Sequence, residues 1–195
     1  GSSDLERDLR RVGLIRETVG DDVTLMVDAN QQWRWPMAMK ACIELAKFNP
    51  YWIEEPTHPD DVQGHRRLAE AISPVKIAAG EHVPNRVIFK NLIQAKAIQV
   101  VQVDAVRVAG VSEFLTISLL ARKHNLPVIP HVGDMGQLHQ HLVLFNHIGL
   151  GTEKIFLEHI PHLARHFQNP AIVRKGVYQT QHVPGSGFDF VQPLI

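Results

Sequence analysis

A chain of 195 residues, 45% hydrophobic and 21% charged, is long enough to bury the core of one soluble domain. Its 20 basic and 20 acidic side chains cancel, so no global field draws it toward nucleic acid or a membrane surface, and no apolar run approaches the roughly 20 residues a membrane span needs. No signal peptide is read in the polar stretch Gly1 to Arg11, and the single cysteine, Cys42, excludes an internal disulfide and a cysteine-based zinc site, so a reducing, cytoplasmic setting is expected.

The pattern of apolar residues predicts a helix over 4–19, then a strand at 23–27, where Val23-Thr24-Leu25-Met26-Val27 is short and apolar. A helix from about Pro36 to Lys47 follows, with Pro36 in its first turn. Strands at 51–53, 75–79, 98–103, 127–130 and 155–157 alternate with helices at 61–72, 85–95, 111–124 and 137–148, the first of these capped by Asp60 or Asp61. Six strands alternating with helices predict βα units on a parallel sheet, and both a doubly wound sheet and a closed barrel fit that pattern. A βα series does not begin on a helix, so the strand before Asp4 is expected to be missing, or to be replaced by Gly1-Ser2-Ser3 as an appended scar. Past Glu158 the texture changes. Residues 1–160 are assigned to the barrel, and 161–195, rich in His, Pro and Gly with one short helix near 162–167, to a segment packed on it or on the missing part.

Each predicted strand ends in a carboxylate or a histidine. Asp28, Glu54, Glu81, Asp104, His131 and Glu158 follow one another at spacings of 26, 27, 23, 27 and 27 residues, about one βα unit each. In an α/β barrel the C-terminal strand ends build the active site. Adjacent parallel strands lie about 4.8 Å apart, so Asp28, Glu54 and Glu81 can converge on one point. Three carboxylates so close repel one another, and a divalent cation offsets that repulsion; an all-oxygen ligand set with room for water and substrate suits Mg²⁺. Asp104 beside His131 is the arrangement of an oriented general acid/base. Glu158, one strand further, is placed to hydrogen-bond substrate or a developing oxyanion.

Each of these residues also has a plainer reading. One acid at a strand end is more often a helix cap or a solvated loop residue, and Asp104 alone would read as the cap of the next helix. A lone His131 would read as a packed loop histidine. Six in register favour the site. Glu55 competes with Glu54, and alternation along a strand admits only one of the two to a metal. His139 and His141 are two apart on a helix and cannot share a face, whereas His162 and His166, four apart, are read as surface residues ahead of a metal pair. Trp33 and Trp35 fit either a pocket wall or helix packing.

Val27-Asp28-Ala29-Asn30, Trp52-Ile53-Glu54-Glu55-Pro56, Ala79-Gly80-Glu81, Val103-Asp104 and Pro130-His131 together resemble the mandelate racemase subgroup of the enolase superfamily, over nearly all the chain to about Tyr178. Thr57-His58-Pro59-Asp60-Asp61, Gly64-His65, Asn85 to Lys90, His162-Leu163 and His166-Phe167 make it most similar to L-fuconate dehydratase and related acid-sugar dehydratases. The resemblance implies a modified TIM-type (β/α)7β barrel, incomplete here, with an N-terminal α+β capping domain and the first barrel strands missing. It implies Mg²⁺ on Asp28, Glu54 and Glu81, His131 as acid/base oriented by Asp104, and Asn30 and Glu158 against substrate. The implied reaction converts a small sugar acid, through an enediolate, to a 2-keto-3-deoxy acid in a homo-oligomer, with neither nucleic acid nor membrane as partner. The subgroup's opposing base, a Lys-x-Lys pair, falls on a strand this chain does not contain, so the chain alone is expected to be inactive. Val132 and Asp134 depart from the fuconate pattern, as does His82-Val83-Pro84, which leaves L-galactonate, L-rhamnonate or an aldarate open as substrate. A racemase, epimerase or cycloisomerase of the same scaffold and a truncated non-catalytic paralogue are the alternatives.

Overall fold

The computed structural model describes residues 1–132, 136–153 and 156–191. Its chain divides into two compact units, Gly1–Val101 and Gln102–Ile195. The first holds α1 (Leu5–Val19), β1 (Met26–Asp28), α2 (Met37–Ala46), β2 (Trp52–Glu54), α3 (Val62–Ile72), β3 (Lys76–Ala79), α4 (Arg86–Gln94) and β4 (Val100–Val101). The four strands are parallel and lie in the order β1-β2-β3-β4.

That order decides between the two architectures the sequence leaves open. A doubly wound sheet reverses direction at a switch point and puts helices on both faces. Here the order never reverses, and α1 packs on α2, α2 on α3, and α3 on α4. Parallel βαβ crossovers are right-handed almost without exception, so strands in consecutive order lay their helices in one layer, as the wall of a barrel requires. Ile53, Ile77 and Ala78 of the sheet and Leu68, Phe89 and Leu92 of the helices are wholly buried.

Helix starts follow local chemistry. Asp4 accepts from Arg7 N–H, Asp61 from Gly64 N–H, and Asn85 from Val87 and Ile88 N–H, so each satisfies donors at a first turn. Asp61, not Asp60, is the α3 cap. It crowds Gly64 so closely that a Cβ there would stand 2.2 Å from its Oδ2. Pro36 precedes α2 as its N-cap instead of entering the first turn.

The second unit holds α5 (Val111–Lys123) and α6 (Leu138–Leu150), which pack together, a 3-10 helix at Pro161–His166, and a hairpin of β5 (Ile172–Arg174) and β6 (Val177–Gln179). The strand expected at 127–130 is reduced to a single bridge at Val128, and Phe156 and Leu157 form no strand; Ile155 lies outside the described residues. The hairpin was not anticipated. Its two-residue turn, Lys175-Gly176, has both φ values positive, the geometry that joins two antiparallel strands without splaying them. Phe167 and Ala171 form a small core with Leu163, Ala164, Tyr178 and Phe188. The tail is tied to the start of α6: Gln137 N–H donates to Ser186 O at 2.8 Å, and its Nε2 donates to Asn169 O at 2.9 Å.

Candidate active site

Asp28 and Glu54 end β1 and β2 and stand opposite each other in register. The backbones stay joined past the strands: Ala29 N–H donates to Glu54 O at 2.9 Å and Glu55 N–H to Ala78 O at 3.0 Å. Asn30 N–H donates to Asp28 Oδ1 at 2.7 Å, and its side-chain amide donates to Asp28 Oδ2. Trp52 Nε1–H donates to Glu54 Oε2 at 3.0 Å. Glu81 lies just beyond β3, only 12% of its side chain exposed. Asn30, Gln31 and Glu55 all have positive φ, 49°, 60° and 38°. Three non-glycine residues in the left-handed region around the same strand ends mark locally strained backbone, a feature concentrated at functional sites.

The turn at Glu55 overrides the alternation argument. β2 ends at Glu54, and the positive φ swings the Glu55 carboxylate inward, where the residue is 2% exposed. Gln31 Nε2 donates to Glu55 Oε2 at 3.0 Å. His82 Nδ1 lies 2.8 Å from Glu55 Oε1, 3.2 Å from Glu81 Oε1 and 2.6 Å from Gln31 Nε2. Among the described residues, Glu55, Glu81 and His82 are the group of three whose ligand-capable atoms all lie within 4.8 Å of one another. Glu55 is therefore brought to Glu81, while Glu54 is placed beside Asp28. The sequence held no sign of the Gln31–Glu55–His82 network, because a positive φ at a glutamate has no residue signature.

In the second unit, His131 Nδ1 lies 2.8 Å from Asp104 Oδ2, which is the expected pairing. Asp104 is 3% exposed and also accepts from Val106 N–H at 2.8 Å through Oδ1. That local bond is a turn and no helix cap, since α5 starts at Val111 behind Gly110. Burial works against the Asp104 charge. The hydrogen bonds from His131 and His139 and from Val106 N–H outweigh it and hold the carboxyl well below the usual carboxylate range. Glu158 Oε2 accepts from Val132 N–H at 2.9 Å and lies 3.9 Å from His131 Nε2, so the imidazole has a carboxylate toward each nitrogen. Tyr178 OH donates to the Glu158 carbonyl, joining β6 to this segment.

His139, set aside in the sequence because it cannot share a face with His141, is fully buried against Asp104, with Nε2 3.1 Å from Oδ1. His141, two residues on, is only half-buried, so the two histidines do face differently, and of the two His139 alone meets Asp104. Trp33 is a core residue whose Nε1–H donates to Ser2 O, and Trp35 is exposed with Arg67 over its ring. His162 and His166 are exposed on a 3-10 helix, whose three residues per turn separate positions four apart. Asp134 lies outside the described residues.

A singly wound parallel sheet with acids at successive strand ends, and a histidine–aspartate pair further along the same chain, defines an α/β-barrel scaffold of the kind that builds sites at its C-terminal strand ends. The chain belongs to the enolase C-terminal domain-like family, whose match extends over residues 1–193, and its fold is part of that family's (β/α)7β barrel. It is 44% identical over 189 residues to human mitochondrial enolase superfamily member 1, covering 94% of this chain and 43% of that protein. The crystal structure of that human protein superposes with a TM-score of 0.91 at 42% identity, covering 97% of this chain and 44% of that one. L-galactonate dehydratase of Hypocrea jecorina is 41% identical over 182 residues, 90% of this chain and 40% of that protein. L-talarate dehydratase from Polaromonas sp. JS666, solved with Mg and L-glucarate, superposes with a TM-score of 0.83 at 35% identity, over 96% of this chain and 50% of that one. The chain thus spans less than half the length of these curated relatives. No helix among the described residues is long and apolar enough to cross a membrane.

Proposed function

We propose that this chain supplies the metal ligands and the histidine acid/base of a Mg²⁺-dependent acid-sugar dehydratase, acting on an L-fuconate-like or L-galactonate-like substrate to release water and leave a 2-keto-3-deoxy acid. The observation that carries the reading is the His131–Asp104 contact at 2.8 Å, in a chain whose relatives include dehydratases of L-galactonate and of L-talarate/galactarate.

The donor set fits the cation. Asp28 and Glu54 offer hard oxygens from register-paired positions, and Glu81 a third from the next strand. Asn30 and Trp52 hydrogen-bond Asp28 and Glu54 and orient them. Bound there, Mg²⁺ supplies a Lewis acid for the substrate carboxylate. Gln31 and His82 hold Glu55, the competing acid, beside Glu81.

His131 moves the proton. Asp104 on Nδ1 orients the ring and leaves Nε2 to exchange a proton with the substrate. Asn30 and Glu158 are assigned hydrogen bonds to the sugar acid, and residues 161–195 to packing over the barrel. A homo-oligomer in the cytoplasm completes the reading, the latter from a single cysteine, Cys42, that is buried and free.

The test offers the gene product containing this chain L-fuconate, L-galactonate, L-talarate, galactarate and L-rhamnonate with Mg²⁺, and measures 2-keto-3-deoxy acid. Formation from one of them, abolished by Asp28→Asn and by His131→Asn, is expected. Isomerised sugar acid without keto acid would replace the dehydratase reading with a racemase or epimerase.

A further inference from the structure

We propose that His139 is a positioning residue for the Asp104–His131 pair: its Nε2–H donates to Asp104 Oδ1 and locks the carboxylate so that Oδ2 alone serves His131. The inference rests on the acid/base reading of His131 given above.

One buried carboxylate faces two imidazoles, one on each oxygen. His139 Nε2 lies 3.1 Å from Oδ1, and His131 Nδ1 lies 2.8 Å from Oδ2. His139 is 0% exposed in the first turn of α6, with the Phe114 ring edge-on at 6.4 Å. Among the described residues, Val106 N–H on Oδ1, Arg107 Nε at 3.5 Å from Oδ2, and Glu158 Oε2 at 3.9 Å from His131 Nε2 also face the pair.

Ala105 N–H also points at His139 Nε2, at 3.0 Å. One nitrogen cannot both accept from that amide and donate to Asp104, so the position of a single proton decides. The charge of Asp104 decides it. A bare nitrogen lone pair 3.1 Å from an ionised, buried oxygen is repulsive, whereas N–H to carboxylate is a charge-assisted bond about twice as strong as a neutral one. The far nitrogen, Nδ1, is buried without a partner among the described residues. Each tautomer strands one donor, Ala105 N–H when the proton is on Nε2 and Nδ1–H when it is on Nδ1, so the contact with the Asp104 carboxylate decides between them. A carboxylate held at both oxygens cannot rotate. It keeps His131 as the Nδ1–H tautomer, with Nε2 as the nitrogen that exchanges the proton, which is the service an orienting carboxylate performs for a histidine base.

The experiment is a long-range ¹H–¹⁵N correlation spectrum of the histidines in the full chain, titrated with pH, for the native sequence, His139→Gln and His139→Leu. In the native chain His139 is expected to show a protonated Nε2 and a bare Nδ1, and His131 a single Nδ1–H tautomer. His139→Gln, whose amide can donate to Asp104, keeps that His131 signature. His139→Leu makes His131 a mixture of tautomers and moves its titration midpoint by about 0.4–1 pH unit, the scale of one lost hydrogen bond. A bare Nε2 on native His139 overturns the proposal, and so does an unchanged His131 in a folded His139→Leu chain. If His139→Leu does not fold, the native tautomer still decides. None of these readouts needs turnover, so a failure here and a failure of the dehydratase reading are told apart.

Discussion

Asp104 and His131, 27 positions apart in the chain, meet at 2.8 Å between Oδ2 and Nδ1, the carboxylate buried and the ring still 12% exposed. The pairing anchors the imidazole at Nδ1 and puts Nε2 on the side of Glu158, 3.9 Å from its Oε2.

Loss of the imidazole is expected to act on chemistry and not on metal. His131→Asn should lower kcat by about 10²–10⁴-fold, the usual contribution of a positioned acid/base. Calorimetric Mg²⁺ affinity should match the native protein. A parallel loss of Mg²⁺ binding would remove His131 from the role assigned to it.

Metal binding should depend on the strand-end acids of the first unit. Loss of a residue that merely orients a ligand lowers metal affinity roughly 10–100-fold, so Asp28→Asn or Glu54→Gln should lower it further. Glu55→Gln provides the contrast. If it weakens Mg²⁺ binding and Glu54→Gln does not, Glu55 and not Glu54 is the ligand beside Glu81.

Gly64 is predicted to be an exception to the rule that alanine stabilises helices. A Cβ at this position would stand 2.2 Å from Asp61 Oδ2, so Gly64→Ala should displace the α3 cap and destabilise by about 1 kcal/mol. In an Asp61→Ala background the clash is gone, and the same substitution should stabilise, since alanine exceeds glycine in a helix by up to about 1 kcal/mol. Urea melts of the four proteins measure the reversal of sign.

Acid should weaken the fold in two stages. Burial lowers the His65 pKa below its ordinary 6.5, so the folded state resists a proton that the unfolded state accepts. The stability this histidine permits is whole above about pH 6.5 and declines as pH falls below it. Asp104, held below its ordinary 3.8, adds stability above that value and loses it only as pH drops further, so its stage begins below about pH 4. Melting temperatures from pH 7.5 to 3 should show both, and His65→Gln should flatten the first while leaving the second.

Where local chemistry determines local structure, the expectations held. Asp61, one of the two caps expected for α3, is its cap, and α2 to α5 fall within a few residues of the expected spans. Strands were less legible. The expected strand at 98–103 contracts to Val100–Val101, and that at 127–130 to one bridge, because strand length depends on a neighbour's ladder that apolar runs do not report. The β5–β6 hairpin was missed though Lys175-Gly176, between Ile172-Val173-Arg174 and Val177-Tyr178-Gln179, carried its turn signal.

The sequence by itself determined that strands alternate with helices as far as β4, that an acid or a histidine follows each predicted strand, and that Asp104 and His131 come one unit apart; these follow from periodicity and spacing, which are properties of the chain as a line. The tertiary structure alone decided three things. The strands run in unbroken order with their helices in one layer. Glu55 turns inward beside Glu81 on a left-handed backbone, where strand alternation would send it away. His139 reaches Asp104 across 35 residues. The physical reason is the same in each case: a side chain's direction is set by a dihedral angle and by what is packed opposite it, and neither is written in the residue's own identity.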